Sequence, residues 1–298
     1  MSRRLAIAIG FLAAFVLTFA AVPDAPAQIA LPDEPSRIVS VGGAVTEIVY
    51  ALGFGDRVVA VDTTSVYPPA ADARPKVGYM RQLAAEPILA LAPALVLAEQ
   101  DSGPPAVLDQ LRAAGARVTL ISDDYSPYGI IKKIEAVGAA LGVPERAQAL
   151  AGNIRREIDA ALAAVAQGKS QPRVLFLLSV GGATPLAAGR ETSADGMITL
   201  AGGVNAIDGY EGYKPLSAEA AVAAAPDIVL VTERSLAQLG GIDSIATIPE
   251  ISATPAGRAR RIVAMDGLLM LGFGPRTPVA VTTLAARFQR AGMATKQP

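Results

Sequence analysis

The sequence predicts an α/β protein of two lobes, each a parallel sheet flanked by helices, and three observations carry that prediction. Short runs rich in valine, isoleucine and leucine alternate with helical patterns, as buried strands and their crossover helices do. The alternation stops once, over 126–166, where two helical patterns follow each other with no strand between them. A segment of the first half also repeats in the second, 85–97 aligning without gaps on 218–230. Each copy places a glutamate, Glu86 or Glu219, seven residues before a proline that ends a helix and opens an apolar strand.

Taken in order, 37–41 reads as a strand, Gly42-Gly43 as a tight turn and 44–52 as a helix stopped by Gly53. A strand at 58–62 leads into the loop 63–74, a short helical pattern covers 82–91, and Pro93 ends it before a buried strand at 94–98. A helix at 105–114 and a strand at 117–121 complete a first lobe expected to span 28–125. Within 126–170, helical patterns at 126–141 and 145–166 are parted by Gly142 and Pro144. Ala149, Ile154, Ile158, Leu162 and Val165 recur at roughly helical spacing in the second. That helix, roughly 33 Å long at 1.5 Å per residue, either bridges the lobes as a strut or lies along one sheet. The second lobe, 171–298, opens with a strand at 173–180 and the turn Gly181-Gly182. Helices at 193–201 and 218–224, a strand at 227–232, a polar loop carrying Arg234, and a strand at 261–265 follow. The proline-braced loop 272–278 opens a final helix at 279–291, Pro278 suiting its first turn.

Residues 1–27 have the pattern of an export signal: Arg3 and Arg4, an apolar run over 5–22, and Ala25-Pro26-Ala27 as a cleavage site. The expectation is export, cleavage before Gln28 and a free, soluble mature protein; a retained membrane anchor competes with it, since about 18 apolar residues can just span a bilayer. Loss of Arg3, Arg4 and Asp24 would take the net charge from −1 to −2, which gives no support to nucleic-acid binding. With no cysteine there is no disulfide, thiolate metal site or lipid-modified N-terminal cysteine. The absence of histidine excludes Ser-His-Asp and Cys-His catalysis and a histidine axial ligand, so a metal must be held by oxygen or methionine sulfur. An exported α/β enzyme would be left with carboxylate or Ser-Lys chemistry, and no such motif stands out.

One tyrosine draws attention, Tyr79 in the turn 77–81, with Arg81 two residues on. A phenol on such a loop suits a hard ferric ion, although the spacing alone favours an aromatic packed on its neighbours. Glu86 and Glu219 are either a symmetric pair of handles on the two lobes or first-turn acids favoured by the helix dipole.

Val77-Gly-Tyr-Met-Arg81, Pro185-Leu-Ala-Ala-Gly-Arg190, Leu200-Ala-Gly-Gly203 and Leu271-Gly-Phe-Gly-Pro-Arg-Thr-Pro278 together resemble the periplasmic haem-binding proteins of bacterial haem-uptake ABC transporters. That branch belongs to a family that also binds siderophores and cobalamin, and the resemblance runs nearly end to end. It implies the class III substrate-binding fold, two lobes joined by one long helix with the ligand between them. It also implies Tyr79 as axial ligand of ferric haem b, the phenolate favoured by iron and by a guanidinium donor. Arg81 is expected to steady that oxygen or to pair with a haem propionate. Arg234 and Arg276, each beyond the carboxyl end of a strand, are the opposite-lobe candidates, Arg234 for the iron face and Arg276 for a propionate or a structural role. Tyr213 and Lys214 are weaker rim candidates, and the amides of the two Gly-Gly turns are either ligand contacts or only turns. Glu86 and Glu219 match positions that dock onto arginines of a permease dimer with its ATPase. Some relatives stack two haems and use a histidine for the second; this chain has none, so the expectation is one five-coordinate haem, and a monomer is expected beside it. A cobalamin or ferric-siderophore binder is the alternative on the same scaffold.

Overall fold

A computed structural model describes residues 34–168, 170–179 and 184–293. The expected leader and the Gly181-Gly182 turn lie outside them. The first lobe contains β1 (Ile38–Val41), α1 (Gly43–Ala51), β2 (Val58–Val61), α2 (Pro69–Asp72), α3 (Ala85–Leu89), β3 (Leu95–Glu99), α4 (Pro105–Ala113) and β4 (Arg117–Ile121). Among the described residues its strands run β2-β1-β3-β4, all parallel, with Ile38 beside Leu95 and Leu95 beside Arg117.

Two antiparallel helices follow, α5 (Gly129–Leu141) and α6 (Pro144–Ala166). Gly142 closes α5 in the left-handed region at φ 79°, and Pro144 starts α6 where a missing N–H costs nothing. The helices approach closely at Gly138, where an added Cβ would lie 2.1 Å from that of Ala147. The buried stripe of α6 is Ala147, Ala151, Ile154, Ile158 and Ala161; Ala149 is exposed and Leu162 and Val165 are half-buried, so the face is rotated from the one read in the sequence. At its start, Arg146 donates to Leu52 O at 3.4 Å and lies over the Phe54 ring, on the first lobe. Toward its end, Val165 meets Gly202, where a Cβ would lie 2.8 Å from Val165 Cγ1, and α14 (Thr277–Met293) of the second lobe packs on the same helix.

The second lobe contains β5 (Arg173–Ser179), β6 (Leu186–Ala188), α7 (Ser193–Leu200), β7 (Val204–Asn205), β8 (Tyr213–Pro215), α8 (Ala218–Ala224) and β9 (Ile228–Thr232). After these come α9 (Glu233–Gln238), α10 (Ile242–Ala246), α11 (Pro249–Ser252), α12 (Pro255–Arg258), β10 (Ile262–Met265), α13 (Gly267–Leu271) and α14 (Thr277–Met293). Its sheet runs β10-β9-β5-β6-β8, with β7 also on β5. The pairs β10/β9 and β9/β5 are parallel as expected, but β5/β6 and β6/β8 are antiparallel, which makes this sheet mixed.

The internal repeat survives in the backbone. Ala92 and Ala225, each just before the aligned proline, both take left-handed φ, 43° and 45°. Central strands bury both faces and sort them by period two. Ile38, Leu95, Leu97, Val174, Phe176, Ile228 and Leu230 face one core that runs continuously from the first lobe through α5 and α6 to the second. Val39, Val41, Val96 and Ala98 face a separate outer core on the first lobe, and Leu175, Leu177, Val229 and Val231 one on the second. No helix among the described residues is long and apolar enough to cross a membrane.

Candidate functional site

The carboxyl ends of β3, β4, β9 and β10 converge on a cleft of about 1270 Å³ between the lobes, above the ~300–1,000 Å³ usual for small-molecule sites. Tyr79 reaches it because its neighbours are anchored elsewhere. Val77, Met80 and Leu83 are buried in the outer core of the first lobe, which leaves Tyr79 and Arg81 turned outward. The loop is laced to its surroundings: Val77 N–H donates to Val61 O at 2.9 Å, and Thr63 N–H donates to Gly78 O at 2.9 Å. From the turn after β3, Gly103 N–H donates to Met80 O at 2.9 Å and its own carbonyl accepts from Leu83 N–H at 2.8 Å. Gly78, at φ 102°, makes the bend. Leu83 is thereby fixed before the helix, and the expected helical pattern at 82–91 contracts to α3.

Arg81 Nη1 donates to Tyr79 Oη at 3.0 Å, while Nη2 donates to Asp101 Oδ2 at 3.0 Å. Burial works against the Arg81 charge, but the bonds to Tyr79 and Asp101 outweigh it and raise the guanidinium above its ordinary range. The phenol oxygen therefore faces a permanent cation.

Behind this array lies a polar wall. Buried Asp62 accepts from Gly42 N–H at 2.9 Å, Thr64 N–H at 2.8 Å and the hydroxyls of Thr64 and Ser65, each at 2.6 Å. Glu99 Oε1 accepts from Ala44 N–H at 3.2 Å, and any Cβ at Gly42 would strike its carboxylate at 2.4–2.8 Å. The Gly42 and Ala44 amides at the start of α1 are thus occupied by the protein's own acids, while Gly43 between them lines the cleft. Burial chiefly, with Asp123 and Asp62 nearby, pushes the Glu99 carboxyl up to about 7, with Lys133 and the Ala44 amide opposing. Lys133, on α5 and only 2% exposed, is held by Asp123 at 2.8 Å. Tyr125 completes this wall edge-on to Phe273, their ring centres 5.2 Å apart, and burial foremost raises its hydroxyl above the ordinary tyrosine range.

On the facing lobe, Thr232 caps α9, accepting from Ser235 N–H at 3.0 Å, and Arg234 lines the cleft; among the described residues it has no ion-pair partner. Tyr213 also lines it, its hydroxyl 3.4 Å from that of Ser193. Lys214, its neighbour on β8, points to the other face, as alternate strand residues must, and its Nζ sits 5.0 Å from the Tyr210 ring centre. Arg276 likewise is not among the cleft-lining residues. Its guanidinium grips Glu47 of α1 with two bonds at 2.9 and 2.6 Å and stacks over the Tyr67 ring at 3.6 Å, so it ties the lobes together. Burial raises the Glu47 carboxyl although Arg276 opposes it. Glu86 and Glu219 are exposed in the first turns of α3 and α8, away from the cleft.

The cleft thus brings together Tyr79, Arg81, Arg234 and Tyr213. Sequence reasoning missed Asp101, Glu99, Asp123 and Lys133. A signal existed: acids stand just at or beyond the ends of β3, β4 and β10, and Lys133 falls within the stripe Ile130, Ile134 and Val137 of α5. No group of three or more Asp and Glu residues that could hold a metal occurs among the described residues.

Residues 38–268 match the family model described as periplasmic binding protein. The chain belongs to the periplasmic binding protein family. Among solved structures, this periplasmic binding protein is similar to the haem-binding protein BhuT in complex with two haems, at 46% identity and TM-score 0.82, covering 86% of this chain and 98% of that one. It is similar also to the haem-binding protein RhuT from Roseiflexus sp. RS-1 in apo form, at 44% identity and TM-score 0.83, with the same coverage of 86% and 98%. The vitamin B12-binding protein of Vibrio cholerae is 32% identical over 214 residues, 71% of this chain and 76% of its own length.

Proposed function

We propose that this periplasmic binding protein captures ferric haem in the inter-lobe cleft, with the Tyr79 phenolate as axial ligand, and hands it to an ABC importer in the inner membrane. One observation carries this: of the three tyrosines that line the cleft, Tyr79 is the one bonded by a guanidinium, at 3.0 Å, with no multidentate metal cluster among the described residues. Such a site suits an iron that arrives with four porphyrin nitrogens and lacks one hard donor. Similarity to two haem-binding proteins supports it. The cleft is lined by Glu99, Asp101, Asp123, Glu191 and Asp266 against Arg81 and Arg234, which disfavours polyanionic ferric siderophores. Arg234 is the cation best placed for a propionate. Export by a cleaved leader, a monomeric state and docking on a permease dimer with its ATPase through Glu86 and Glu219 belong to the same proposal.

Hemin titration tests it. The wild type takes up about one equivalent and shows a high-spin ferric spectrum with a red charge-transfer band, and Tyr79→Phe loses that band and most of the affinity. An unchanged spectrum in the variant eliminates the ligand assignment, and uptake of two equivalents replaces single occupancy with stacking. The B12-binding relative favours a second reading; tight binding of cyanocobalamin, with hemin bound weakly, would establish it instead.

A further inference from the structure

Arg81 divides its two terminal nitrogens, one to the Tyr79 hydroxyl and one to Asp101, both at 3.0 Å. Asp101 belongs to the turn after β3, and that same turn holds the Tyr79 loop through the paired backbone bonds of Gly103 with Met80 and Leu83. Phenol, guanidinium and carboxylate therefore share one platform. The side chains of Arg81 and Asp101 are 51% and 55% exposed, so their ion pair adds little to stability, as exposed pairs generally do. Its consequence lies in placement. An arginine side chain has wide rotamer freedom, and a single bond to a phenol does not fix it, nor does it stop the guanidinium from turning to a carboxylate of the incoming ligand.

We propose that Asp101 is a positioning residue for haem capture: it reserves Arg81 for the iron-ligating oxygen and so leaves the ligand's carboxylates to the facing lobe. The proposal rests on Tyr79 as the iron ligand. Outer groups that orient a metal's direct ligand commonly tune the metal in this way. A guanidinium donor draws electron density from the phenolate and raises the energy of phenolate-to-iron charge transfer. Loosening Arg81 moves that band to the red.

The experiment uses the full chain loaded with hemin. Asp101→Asn keeps the fold, read as an unchanged thermal midpoint, while its charge-transfer band moves to the red, in the same direction as in Arg81→Ala and by less. Haem transfer to excess apomyoglobin speeds up by no more than about fivefold, the span an exposed ion pair can account for. Asp101→Glu, which keeps the charge, recovers most of the band position. In an Arg81→Ala background, Asp101→Asn adds no further shift. A silent Asp101→Asn overturns the proposal, as does a shift of equal size in the Arg81→Ala background. If Tyr79→Phe leaves the spectrum untouched, the iron-ligand reading fails and the proposal falls with it; a silent Asp101→Asn beside a normal Tyr79→Phe result refutes the positioning role alone.

Discussion

Replacing Glu99 with glutamine should make the protein more stable at alkaline pH and leave it unchanged in acid. The side chain lies at the end of β3 against the start of α1, and burial pushes its carboxyl from 4.5 to about 7, with Asp123 and Asp62 adding to the effect and Lys133 and the Ala44 amide opposing. At about 1.36 kcal/mol per pH unit, that displacement amounts to about 3 kcal/mol, a large share of the ~5–15 kcal/mol that holds a typical domain together. Between pH 4.5 and 7 the folded protein keeps this proton while the unfolded chain releases it. The Glu99 contribution is therefore most favourable below the lower value, falls as pH rises, and levels off above the upper one. Glutamine has nearly the same shape, its carbonyl still accepts from Ala44 N–H, and it has no charge to desolvate. Urea unfolding of both proteins should give matching midpoints near pH 4.5 and a gain for Glu99→Gln approaching about 3 kcal/mol near pH 8. An equal difference at both ends, or a loss at pH 8, refutes the assignment of burial as the dominant cause.

Arg276→Ala leaves Glu47, 5% exposed, without its partner and should cost about 3 kcal/mol near pH 8. The cost shrinks near pH 5, because burial already favours the protonated carboxyl; chemical denaturation at the two pH values checks the sign. Gly138→Ala drives a methyl to 2.1 Å from Ala147 and should lower stability by about 1–3 kcal/mol despite alanine's better helix propensity. Gly152→Ala on α6, whose nearest atom would be a guanidinium nitrogen of Arg156 at 3.9 Å, should instead stabilise by up to about 1 kcal/mol, and thermal melts separate the two. Glu86→Ala with Glu219→Ala should leave hemin binding intact and reduce stimulation of the transporter ATPase in proteoliposomes.

Alternation of apolar runs and helical patterns was enough to place the strands of the first sheet and the central parallel strands of the second, because buried strands need little local help to be recognised. The antiparallel pair β6 and β8 was illegible: each has three residues flanked by or containing proline, and their pairing depends on partners far along the chain. The segment after β9, read as a polar loop, holds α9 to α12, helices of four to six residues too short to show a period, though Thr232 and Thr254 cap two of them. At the site, Tyr79 and Arg81 were visible because two residues in one turn suffice to pair them. Between a propionate partner and a structural role the sequence could not choose for Arg276, because Glu47, the partner it grips, is 229 residues away. Lys214 was misdirected for a simpler reason: on a strand, one position decides which face a side chain sees, and the phase of β8 could not be set from so few residues.

Helix α6, about 34 Å long at 1.5 Å per residue, is clasped near its head by Leu52 and Phe54 and toward its tail by Gly202 and α14. A rod held this way resists flexing and yields to torsion. Loading and unloading should therefore swivel one half against the other by a small angle instead of gaping like a jaw, with the widest sweep at the rim and little at the spine. Paired spin labels across the rim would register a shift of a few ångströms (~2–5 Å); a swing much larger than that would mean the rod bends or lets go at one end.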